Sequence, residues 1–392
     1  MPYLLPSTPK SGRFALVLAH GKLSILEACS VLGDAVRKAE SPTERVAVLH
    51  LGALDKGLVD SLAGSHKIVP LEAFPDSPSS DIGSFVEGLT ALLDDKSNLS
   101  LSGYDLPEDD YDTLVRSILD GVRSHGLRKV RLLRPDGNEL VAEQVLSRAA
   151  VDVVAFPYQG GLAMGTTAWV PDSASIRARG TRKPTPHSDI SLSPRLASVL
   201  VNLSGLGPGG VVLDPFCGSG TILMEASLKG LRCLGLDARA SRVQDARQNL
   251  QWTVGGGRNL GYDIRKGDAR DLARMLRGTK VDGVVSEPVL LPRLEARPRT
   301  ATAREMIRSA SETYTSALAS MANVLQRSGR IVIVVPVIQT MDGEEVSMAL
   351  DGRKLGLHLY QPGPVGFEYP VRLSFESTRW VRRGVYVFES ES

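Results

Sequence analysis

The sequence predicts an α/β fold made of two folded regions, of which the second contains a mostly parallel sheet covered by helices on both faces. In that second region, short apolar runs alternate with helical patterns, which is typical of a parallel sheet. A stretch rich in Pro, Ser, Thr and Arg separates the two regions. The 392 residues also exceed the length over which a single hydrophobic core keeps growing, so two or three domains are expected.

Composition narrows the class of protein. Hydrophobic residues make up 42% and charged residues 23% of the chain, which is typical of a globular protein and excludes a fibrous or wholly disordered one. The net charge of +2 means that any affinity for nucleic acid depends on local basic patches. The three cysteines form no C-x-x-C pair, which argues against a disulfide framework or a zinc site, and no metal is predicted.

No membrane segment is predicted. No apolar run approaches the roughly 18 residues that a membrane-spanning helix needs. The first residues, MPYLLPSTPKSGRF, lack the charged and apolar regions of a signal peptide. We therefore expect a soluble, cytoplasmic protein with no membrane partner.

Two small α/β domains are predicted in the first region. Residues 1–78 alternate between the strand-like runs FALVLAH, RVAVLHL and KIVPL and the helix-like runs KLSILEACSVLG and GLVDSLAG. Residues 79–170 contain the helical patterns FVEGLTALLDD, DTLVRSILDGVRSHG and NELVAEQVLSRA, the strands KVRLLRP and VDVVAFPY, and paired strands through GLAMGTTAWV. Residues 171–190 are the predicted linker.

The catalytic candidate is the last domain, residues 191–392. After the helix SPRLASVLVNL, it contains the strands VVLDPF, RCLGLDA, YDIRKGDA, VDGVVSEP and RIVIVVPV, separated by helical patterns. The longest of those patterns is REMIRSASETYTSALASMANVLQ, and two further strands are predicted in RLSFESTRWVRRGVYVFE.

The strongest local signal is VVLDPFCGSGT at residues 211–221, where a buried strand runs into a glycine turn that opens a helix. In an open α/β sheet, ligands lie beyond the carboxyl ends of the strands, where helix N-termini present amides without partners. Gly218 and Gly220 lack a Cβ atom, so we expect the backbone there to approach a ligand closely. Asp214, at the strand tip, is suited to pair with the ammonium of an amino-acid-bearing cofactor. The spacing differs from the G-x-G-x-x-G of dinucleotide binders.

Acidic residues also follow the next two strands. Asp237 ends the second strand and is suited to accept hydrogen bonds from both hydroxyls of a ribose. Asp268 follows the third strand and is suited to accept from an adenine amino group. The alternative is that these aspartates only cap helices, because Asp is favoured at N-caps, and it stays open above all for Asp268.

These segments carry a resemblance. The order DPFCGSGTILMEA, LGLDARASRVQDARQNL, KGDARDL and SEP resembles the Rossmann-like S-adenosylmethionine methyltransferases that modify exocyclic amines of nucleobases. The whole chain is similar to the archaeal and eukaryotic tRNA guanine-N2 methyltransferases that act at position 10. That family places a ferredoxin-like region and an RNA-binding THUMP domain before the catalytic domain. LRKVRLLRPDGNELVAEQVL is similar to the later THUMP elements, and SLSPRLASVLVNLSG to the helix before the first catalytic strand.

The resemblance implies a seven-stranded, mostly parallel sheet with an antiparallel edge strand. It implies S-adenosyl-L-methionine as the cofactor and tRNA, rather than DNA, as the partner. A small activating subunit, which some relatives use, is left open as a further partner. Asp214, Gly218, Gly220, Asp237 and Asp268 would hold the cofactor. The predicted cofactor site also includes their neighbours Pro215, Phe216, Cys217, Thr221, Ala238 and Ala269.

The fourth strand departs from the family's motif, which is Asp or Asn, two prolines and an aromatic residue. This chain has SEPVLL at residues 286–291, so the second proline and the aromatic residue are missing. In the family, the acidic or amide side chain accepts hydrogen bonds from the target amine, and the aromatic residue stacks on an extruded base. We predict Ser286, Glu287 and Pro288 as the catalytic residues. Three interpretations of Glu287 stay open. It is an active carboxylate that positions a nucleobase amine, it belongs to a methylase with a shifted target, or it is a structural acid in an inactive protein.

Clusters of basic residues are suited to bind phosphates. They lie near the strand KVRLLRP, in the predicted linker and after the SEP motif. A solvated basic face is the alternative for any one cluster. The composition favours recognition of RNA by shape rather than by sequence. The predicted RNA-binding residues are Arg128, Lys129, Arg131, Arg177, Arg179, Arg182, Lys183 and Arg293.

The sequence leaves two classes of function open. The first is a tRNA methyltransferase that acts on an exocyclic amine, with guanine N2 as the expected target. The second is a noncatalytic RNA-binding protein that retains the fold. A methylase that acts on another nucleobase amine, or on DNA or protein, is a third alternative.

Overall fold

The structure is a computed structural model that describes residues 3–4, 9, 11–72, 82–134, 136–186, 192–255, 261–288, 291, 294–363, 365–373 and 380–391. The chain forms two compact units. Unit 1 consists of Met1–Ile25, Leu32–Ala174 and Gly363–Val365, and unit 2 consists of Leu26–Val31, Ser175–Pro362 and Gly366–Ser392.

The first part of the chain supplies most of one antiparallel sheet. Its elements are β1 (Tyr3–Leu4), β2 (Gly12–Leu18), α1 (Lys22–Leu32), β3 (Val36–Glu40), β4 (Val46–Leu51), α2 (Lys56–Ser61) and β5 (Ser65–Pro70). The four strands after β1 pair in the order β5, β2, β4, β3, with α1 after β2 and α2 after β4. This βαββαβ order is the ferredoxin-like arrangement.

The next part of the chain forms a second, four-stranded sheet. Its elements are α3 (Ile82–Thr90), β6 (Asn98–Gly103), α4 (Glu108–Ser124), β7 (Arg131–Leu133), α5 (Ala142–Ser147), β8 (Ala150–Tyr158) and β9 (Gly161–Thr166), followed by β10 (Trp169–Val170). The strand order is β7, β6, β8, β9, and only the β8 and β9 pair is antiparallel.

The strand β10 corrects one prediction. The sequence predicted that it completes the second sheet beside β9, but it pairs with β5 and β1 of the first sheet. The amide of Ala168 donates to the carbonyl of Ile68 at 3.0 Å, so the chain changes sheets at this point. The indole of Trp169, which is 1% exposed, donates to Asp60 at 2.9 Å and fixes the crossing.

Unit 2 resumes at Ser175, inside the predicted linker, and residues 173–181 of that stretch form a helix. Its helices are α6 (Ser173–Thr181), α7 (Pro194–Leu203), α8 (Thr221–Leu228), α9 (Ala240–Val254), α10 (Leu272–Met275) and α11 (Thr300–Val324). Its strands are β11 (Val211–Asp214), β12 (Arg232–Asp237), β13 (Tyr262–Lys266), β14 (Val281–Ser286), β15 (Leu325–Gln339), β16 (Glu345–Ser347), β17 (Leu357–Leu359), β18 (Val371–Arg372) and β19 (Val381–Ser390).

All nine strands belong to one sheet. Seven of them follow one another in the order β13, β12, β11, β14, β15, β19, β17, while β16 pairs with β15 and β18 with β19. The five strands from β13 to β15 are parallel, and β19 is antiparallel to β15. The number of strands in the main path and their mostly parallel direction match the prediction, and the short strands β16 and β17 were not predicted. The antiparallel strand was expected at the edge, but β17 lies outside it. The helix α11 packs Ile307, Leu318 and Met321 into the core of this sheet.

Among the described residues, no helix has both the length and the apolar character to cross a bilayer.

Candidate active site

The carboxyl ends of the central strands bring several predicted residues together. The parallel register pairs Asp214 with Gly235 and Asp237 with Lys266, so the ends of β11, β12 and β13 lie at one edge of the sheet. The strand β14, which pairs with β11, ends at the same edge with Ser286. The strand ends that carry Asp214, Asp237 and Ser286 therefore lie at one edge of the sheet, as the topology requires.

Asp214 is a buried carboxyl with an open oxygen. It is 1% exposed, and its Oδ1 atom accepts from the hydroxyl of Ser286 at 2.6 Å and from the amide of Phe216 at 3.1 Å. No group in the described part of the chain donates to Oδ2. Burial, together with the carboxylates of Asp237 and Glu287, raises the pKa of Asp214 to about 7. A buried carboxylate without a cation is costly, so this site is suited to receive one.

Asp237 connects β12 to the glycine turn. Its Oδ2 atom accepts from the amide of Gly218 at 3.1 Å, and its Oδ1 atom accepts from the amide of Arg239 at 2.8 Å. An ionised carboxylate has about four acceptor positions, so it can also accept from two hydroxyl groups. Gly218 has a φ of +52°, and a Cβ atom there would meet nothing closer than the carbonyl oxygen of Phe216 at 4.0 Å. The turn therefore leaves open space beside Asp237.

The physical role of Gly220 differs from the expected one. It has a φ of +83°, and a Cβ atom there would lie 3.0 Å from Leu250 Cδ1 and 3.1 Å from Ala246 Cβ on α9. The missing side chain therefore lets α9 pack against the turn, which corrects the expectation that it makes room for a ligand. A contact between the Gly220 backbone and a cofactor stays a prediction.

The sequence analysis missed Asn249, which holds the same turn from α9. Its side chain is fully buried, and Nδ2 donates to the carbonyl of Ser219 at 2.9 Å. Its Oδ1 atom accepts from the amide of Thr185 at 3.0 Å. The available signal was its spacing from Val243, Ala246 and Leu250, which places Asn249 on the apolar face of the helix. A buried amide there requires hydrogen-bond partners for both its oxygen and its nitrogen.

Asp268 adopts the alternative role of a helix cap. Its Oδ1 atom accepts from the amide of Arg270 at 2.9 Å at the start of a short 3-10 turn. The guanidinium of Arg270 also binds both carboxylate oxygens, and these hydrogen bonds lower the pKa of Asp268 to about 2. The side chain is 43% exposed. The capping does not exclude a contact with adenine, which stays a prediction.

Two of the predicted RNA-binding residues are instead packed against α8. Both Nε and Nη2 of Arg179 donate to the buried carboxylate of Glu225, at 2.6 and 2.9 Å. Lys183 is 3% exposed and donates to the hydroxyl of Thr221 at 2.9 Å, and burial lowers its pKa. These two cations support the helix that follows the glycine turn and are not presented to a phosphate, which corrects their predicted role.

The remaining basic residues keep an exposed position. Five of the predicted RNA-binding side chains are exposed: Arg128, Lys129, Arg131, Arg177 and Arg182. Arg293 lies outside the described residues. Of the predicted neighbours in the cofactor site, Phe216 is half-buried and Ala238 exposed, and the buried ones are Pro215, Cys217, Thr221 and Ala269.

The SEP motif contains an ion pair that the sequence analysis missed. The Nε atom of Arg383, on β19, donates to Oε1 of Glu287 at 2.5 Å, and the two side chains are only 9% and 13% exposed. Arg383 is separated by 96 residues from Glu287, and no local pattern connects them. Ser286 is fully buried and binds Asp214, so the motif is tied to both the cofactor candidate and the C-terminal strand.

A tyrosine of α11 contributes to the same environment. Tyr314 is 2% exposed, and burial, with the charge of Glu287, raises the pKa of its hydroxyl. Within the described residues, this hydroxyl has no hydrogen-bond partner.

The site fits the cofactor that the resemblance implies. The open Oδ2 atom of Asp214 is suited to an ammonium, the remaining acceptor positions of Asp237 to ribose hydroxyls, and the space beside Gly218 to the atoms between them. The fit depends on the donor and acceptor chemistry of the residues present.

Comparisons with known proteins agree with this geometry. Residues 179–344 match the family described as RMKL-like, methyltransferase domain. The chain is 43% identical over 101 residues to the tRNA (guanine(10)-N2)-dimethyltransferase of Methanothermobacter thermautotrophicus, a match that covers 25% of this chain and 27% of that protein. It is 34% identical over 147 residues to the enzyme of the same name from Pyrococcus abyssi, covering 38% and 39% of the two chains. The matches thus span less than half of the length of these relatives.

Solved structures show the same fold. The crystal structure of TrmN from Thermus thermophilus superimposes with a TM-score of 0.52 at 18% identity, covering 96% of this chain and 99% of that one. A possible methylase from Clostridium difficile 630 gives a TM-score of 0.50 at 13% identity, covering 100% and 98%. The predicted α/β class with a Rossmann-like methyltransferase domain in the second half is confirmed.

Proposed function

From a second half that carries a methyltransferase domain, we propose that this protein transfers a methyl group from S-adenosyl-L-methionine to an exocyclic amine of a tRNA nucleobase, with guanine N2 as the target. The observation that carries the proposal is the buried carboxyl of Asp214, whose Oδ2 atom accepts no hydrogen bond within the described residues. It lies beside a glycine turn held by Asp237.

The cofactor supplies a methyl group on a sulfonium and an amino-acid end with an ammonium group. Asp214 would pair with that ammonium, because no cation of the described residues binds this buried carboxylate. Asp237 would accept from the ribose hydroxyls, because the two backbone amides that it binds leave acceptor positions on its carboxylate. Asp268 would accept from the adenine amino group while it caps the 3-10 turn.

Glu287 positions the target amine. The nitrogen of an aromatic amine is a poor nucleophile because its lone pair is delocalised, and an acceptor for its hydrogens concentrates that pair on nitrogen. Arg383 fixes the Glu287 carboxylate through a charge-assisted hydrogen bond, so that the acceptor is aligned before the substrate arrives. Ser286 and Pro288 hold the backbone on either side of this carboxylate.

The first half of the chain binds the RNA. Its ferredoxin-like sheet and the following four-stranded sheet correspond in order to the ferredoxin-like and THUMP regions that the resemblance implies. Exposed cations at Arg128, Lys129 and Arg131 are suited to phosphates, and Arg177 and Arg182 extend this set beyond the first half. With tRNA as the substrate, the proposed location is the cytoplasm, and a small activating subunit is a proposed further partner.

The two relatives named above support guanine N2 as the target, because both are called tRNA (guanine(10)-N2)-dimethyltransferase. The direct test incubates the purified protein with unmodified tRNA and isotopically labelled S-adenosylmethionine, and then identifies methylated nucleosides by mass spectrometry. N2-methylguanosine or its dimethyl form is expected. Label in another methylated base would replace guanine N2 as the target and leave the methyltransferase assignment standing.

A second candidate is a noncatalytic RNA-binding protein that retains the fold. The observation that favours it is the engagement of Glu287 with Arg383, combined with the absence of the second proline and the aromatic residue from SEPVLL. Calorimetry separates the candidates. An enzyme binds S-adenosylmethionine and loses that binding in Asp214→Asn, whereas a protein that binds tRNA but no cofactor is the noncatalytic alternative.

A further inference from the structure

An arginine and a tryptophan form an exposed stack in unit 2. The guanidinium carbon of Arg297 lies 4.6 Å from the centre of the Trp380 ring. Arg297 is exposed and Trp380 is half-buried. Within the described residues, Arg297 has no carboxylate partner, and its guanidinium is attracted to the face of the Trp380 ring.

Backbone hydrogen bonds hold both members of the stack. The carbonyl of Pro298, next to Arg297, accepts from the amide of Met341 at 2.9 Å, and the amide of Thr300 donates to Asp342 at 2.9 Å. The carbonyl of Trp380 accepts from the amide of Gln339 at 2.9 Å. The stack is therefore anchored on rigid elements, which reduces the entropy lost when a ligand binds to it.

The stack lies at the edge of the sheet where Glu287 lies. Trp380 immediately precedes β19, and Arg383, three residues further along, binds Glu287. Three residues along a strand span roughly 10 Å. The side chain of Met341, which is 67% exposed, adds apolar surface beside Pro298. An exposed cation, an aromatic ring and an apolar side chain thus lie at the edge of the sheet that carries Glu287.

We propose that the Arg297 and Trp380 stack is a platform on which a nucleobase of the RNA substrate stacks beside the target nucleotide. Unpaired bases stack on aromatic rings and on guanidinium planes, and this pair presents both at one place. The platform supplies the stacking surface that the SEPVLL segment lacks, since that segment has no aromatic residue after Pro288. The proposal rests on the proposed function, because it requires an RNA substrate.

The chemistry favours a single-stranded or extruded base over a protein surface. The guanidinium of Arg297 binds no carboxylate within the described residues, and an RNA supplies a phosphate beside every base that stacks. The flanking Arg299 is also exposed and adds to the positive charge of this rim. Stacking tolerates any base, so the platform contributes affinity and alignment rather than sequence selectivity.

The test measures steady-state methylation of an unmodified tRNA transcript by Trp380→Ala, Trp380→Phe and Arg297→Ala. Base stacking on an aromatic ring is worth about 1–3 kcal/mol, so Trp380→Ala is expected to raise the KM for tRNA by about 5- to 150-fold. Trp380→Phe keeps a ring and should restore most of the affinity. The KM for S-adenosylmethionine should stay unchanged in all three variants, which a misfolded domain would not achieve.

Two matched controls use residues away from this rim. Trp252→Ala removes an exposed tryptophan of α9, and Arg353→Ala removes an exposed arginine paired with Asp351. Both should leave the KM for tRNA unchanged. A parent protein that methylates tRNA and a Trp380→Ala variant with an unaltered tRNA KM would overturn the platform alone. A parent protein that binds no tRNA would overturn the proposed function and the platform together.

Discussion

Two buried carboxylates, one in each unit, have opposite surroundings. Asp152 in unit 1 and Asp214 in unit 2 are each 1% exposed. Asp152 accepts from Lys67 Nζ at 2.7 Å and from three hydroxyl groups, whereas Asp214 accepts two hydrogen bonds and has no ion pair within the described residues. The acceptor positions of Asp152 are filled by side chains of the protein, whereas the Oδ2 atom of Asp214 accepts from no group of the described residues.

The saturated site is structural. Lys67 on β5 and Asp152 on β8 belong to different sheets of unit 1, so their ion pair connects the two sheets. Ser100 and Ser102 of β6 add their hydroxyls to the same carboxylate at 2.7 and 2.8 Å. A fully satisfied buried network favours one unique packing. The open site of Asp214, in contrast, has a raised pKa, which is typical of a functional carboxyl.

The largest effect is expected when the saturated site loses its cation. Lys67→Met leaves Asp152 buried without a countercharge, and breaking a buried pair costs about 3–5 kcal/mol of the free energy of unfolding. Urea unfolding followed by far-ultraviolet circular dichroism measures this loss. The double variant Lys67→Met, Asp152→Asn is the control and should recover much of the stability. A single variant as stable as the parent would show that the network is not structural.

Asp214→Asn should change the free energy of unfolding in the opposite direction, because it removes a buried charge that binds no cation within the described residues. The pKa of Asp214 in the folded protein, about 7, lies above that of an unfolded aspartate, so the native state binds the proton more tightly. The loss of folding stability caused by ionising Asp214 is absent below about pH 4 and grows as the pH rises towards about 7. At 1.36 kcal/mol per pKa unit it reaches at most roughly 4 kcal/mol. We therefore expect the variant to be more stable than the parent at pH 8 and equally stable near pH 4.

The same substitution should weaken binding of the cofactor. Hydrogen bonds to charged groups are worth about 1.5–3 kcal/mol, so affinity for S-adenosylmethionine should fall by about one to two orders of magnitude in calorimetry. Asp263→Asn is the control, because that aspartate on β13 is 42% exposed and paired with Arg265. Unchanged affinity together with lower stability of Asp214→Asn at pH 8 would show that Asp214 is a structural acid like Asp152.

The contrast also explains what the sequence could predict. The strand-tip positions of Asp214, Asp237 and Ser286 follow from the strand pattern, because parallel strands end at one edge of the sheet. The strand β6 was missed because its serines at 100 and 102 interrupt the apolar pattern, and their burial makes sense only once Asp152 is known to bind them. Periodicity reports which face is apolar and carries no information about polar partners distant in sequence.

The same limit applies to the basic residues. Arg179 and Lys183 lie in a polar stretch that resembles a solvated linker, yet both bind groups of α8. Arg383 lies in a predicted strand, and its partner Glu287 is 96 residues away. Charge counting therefore finds cations but cannot separate those that meet RNA from those that meet a buried carboxylate, since only tertiary contacts decide this.

Arg383→Gln extends the comparison to Glu287, which binds a cation, whereas Asp214 binds none among the residues that the structure describes. The substitution removes the guanidinium that orients the carboxylate, so kcat should fall by about 10- to 100-fold, equivalent to about 1.4–2.7 kcal/mol. Arg383→Lys should restore part of the rate, since it keeps the charge but loses the fork geometry. Cofactor affinity is the control and should not change. An unaltered kcat would mean that Glu287 needs no alignment by Arg383.

The smallest effect is expected at Asp268. Its substitution tests whether this residue is structural, like Asp152, or binds the cofactor, as proposed for Asp214. Replacing an N-cap aspartate with alanine costs about 1 kcal/mol, so Asp268→Ala should lower the free energy of unfolding by that amount. Asp268→Asn keeps a good cap and should retain the stability. If Asp268 also accepts from the adenine amino group, Asp268→Ala lowers the affinity for S-adenosylmethionine by about 2- to 12-fold, as expected for one hydrogen bond. Unchanged cofactor affinity in calorimetry would make it a cap alone, and the cofactor site would then depend on two acids rather than three.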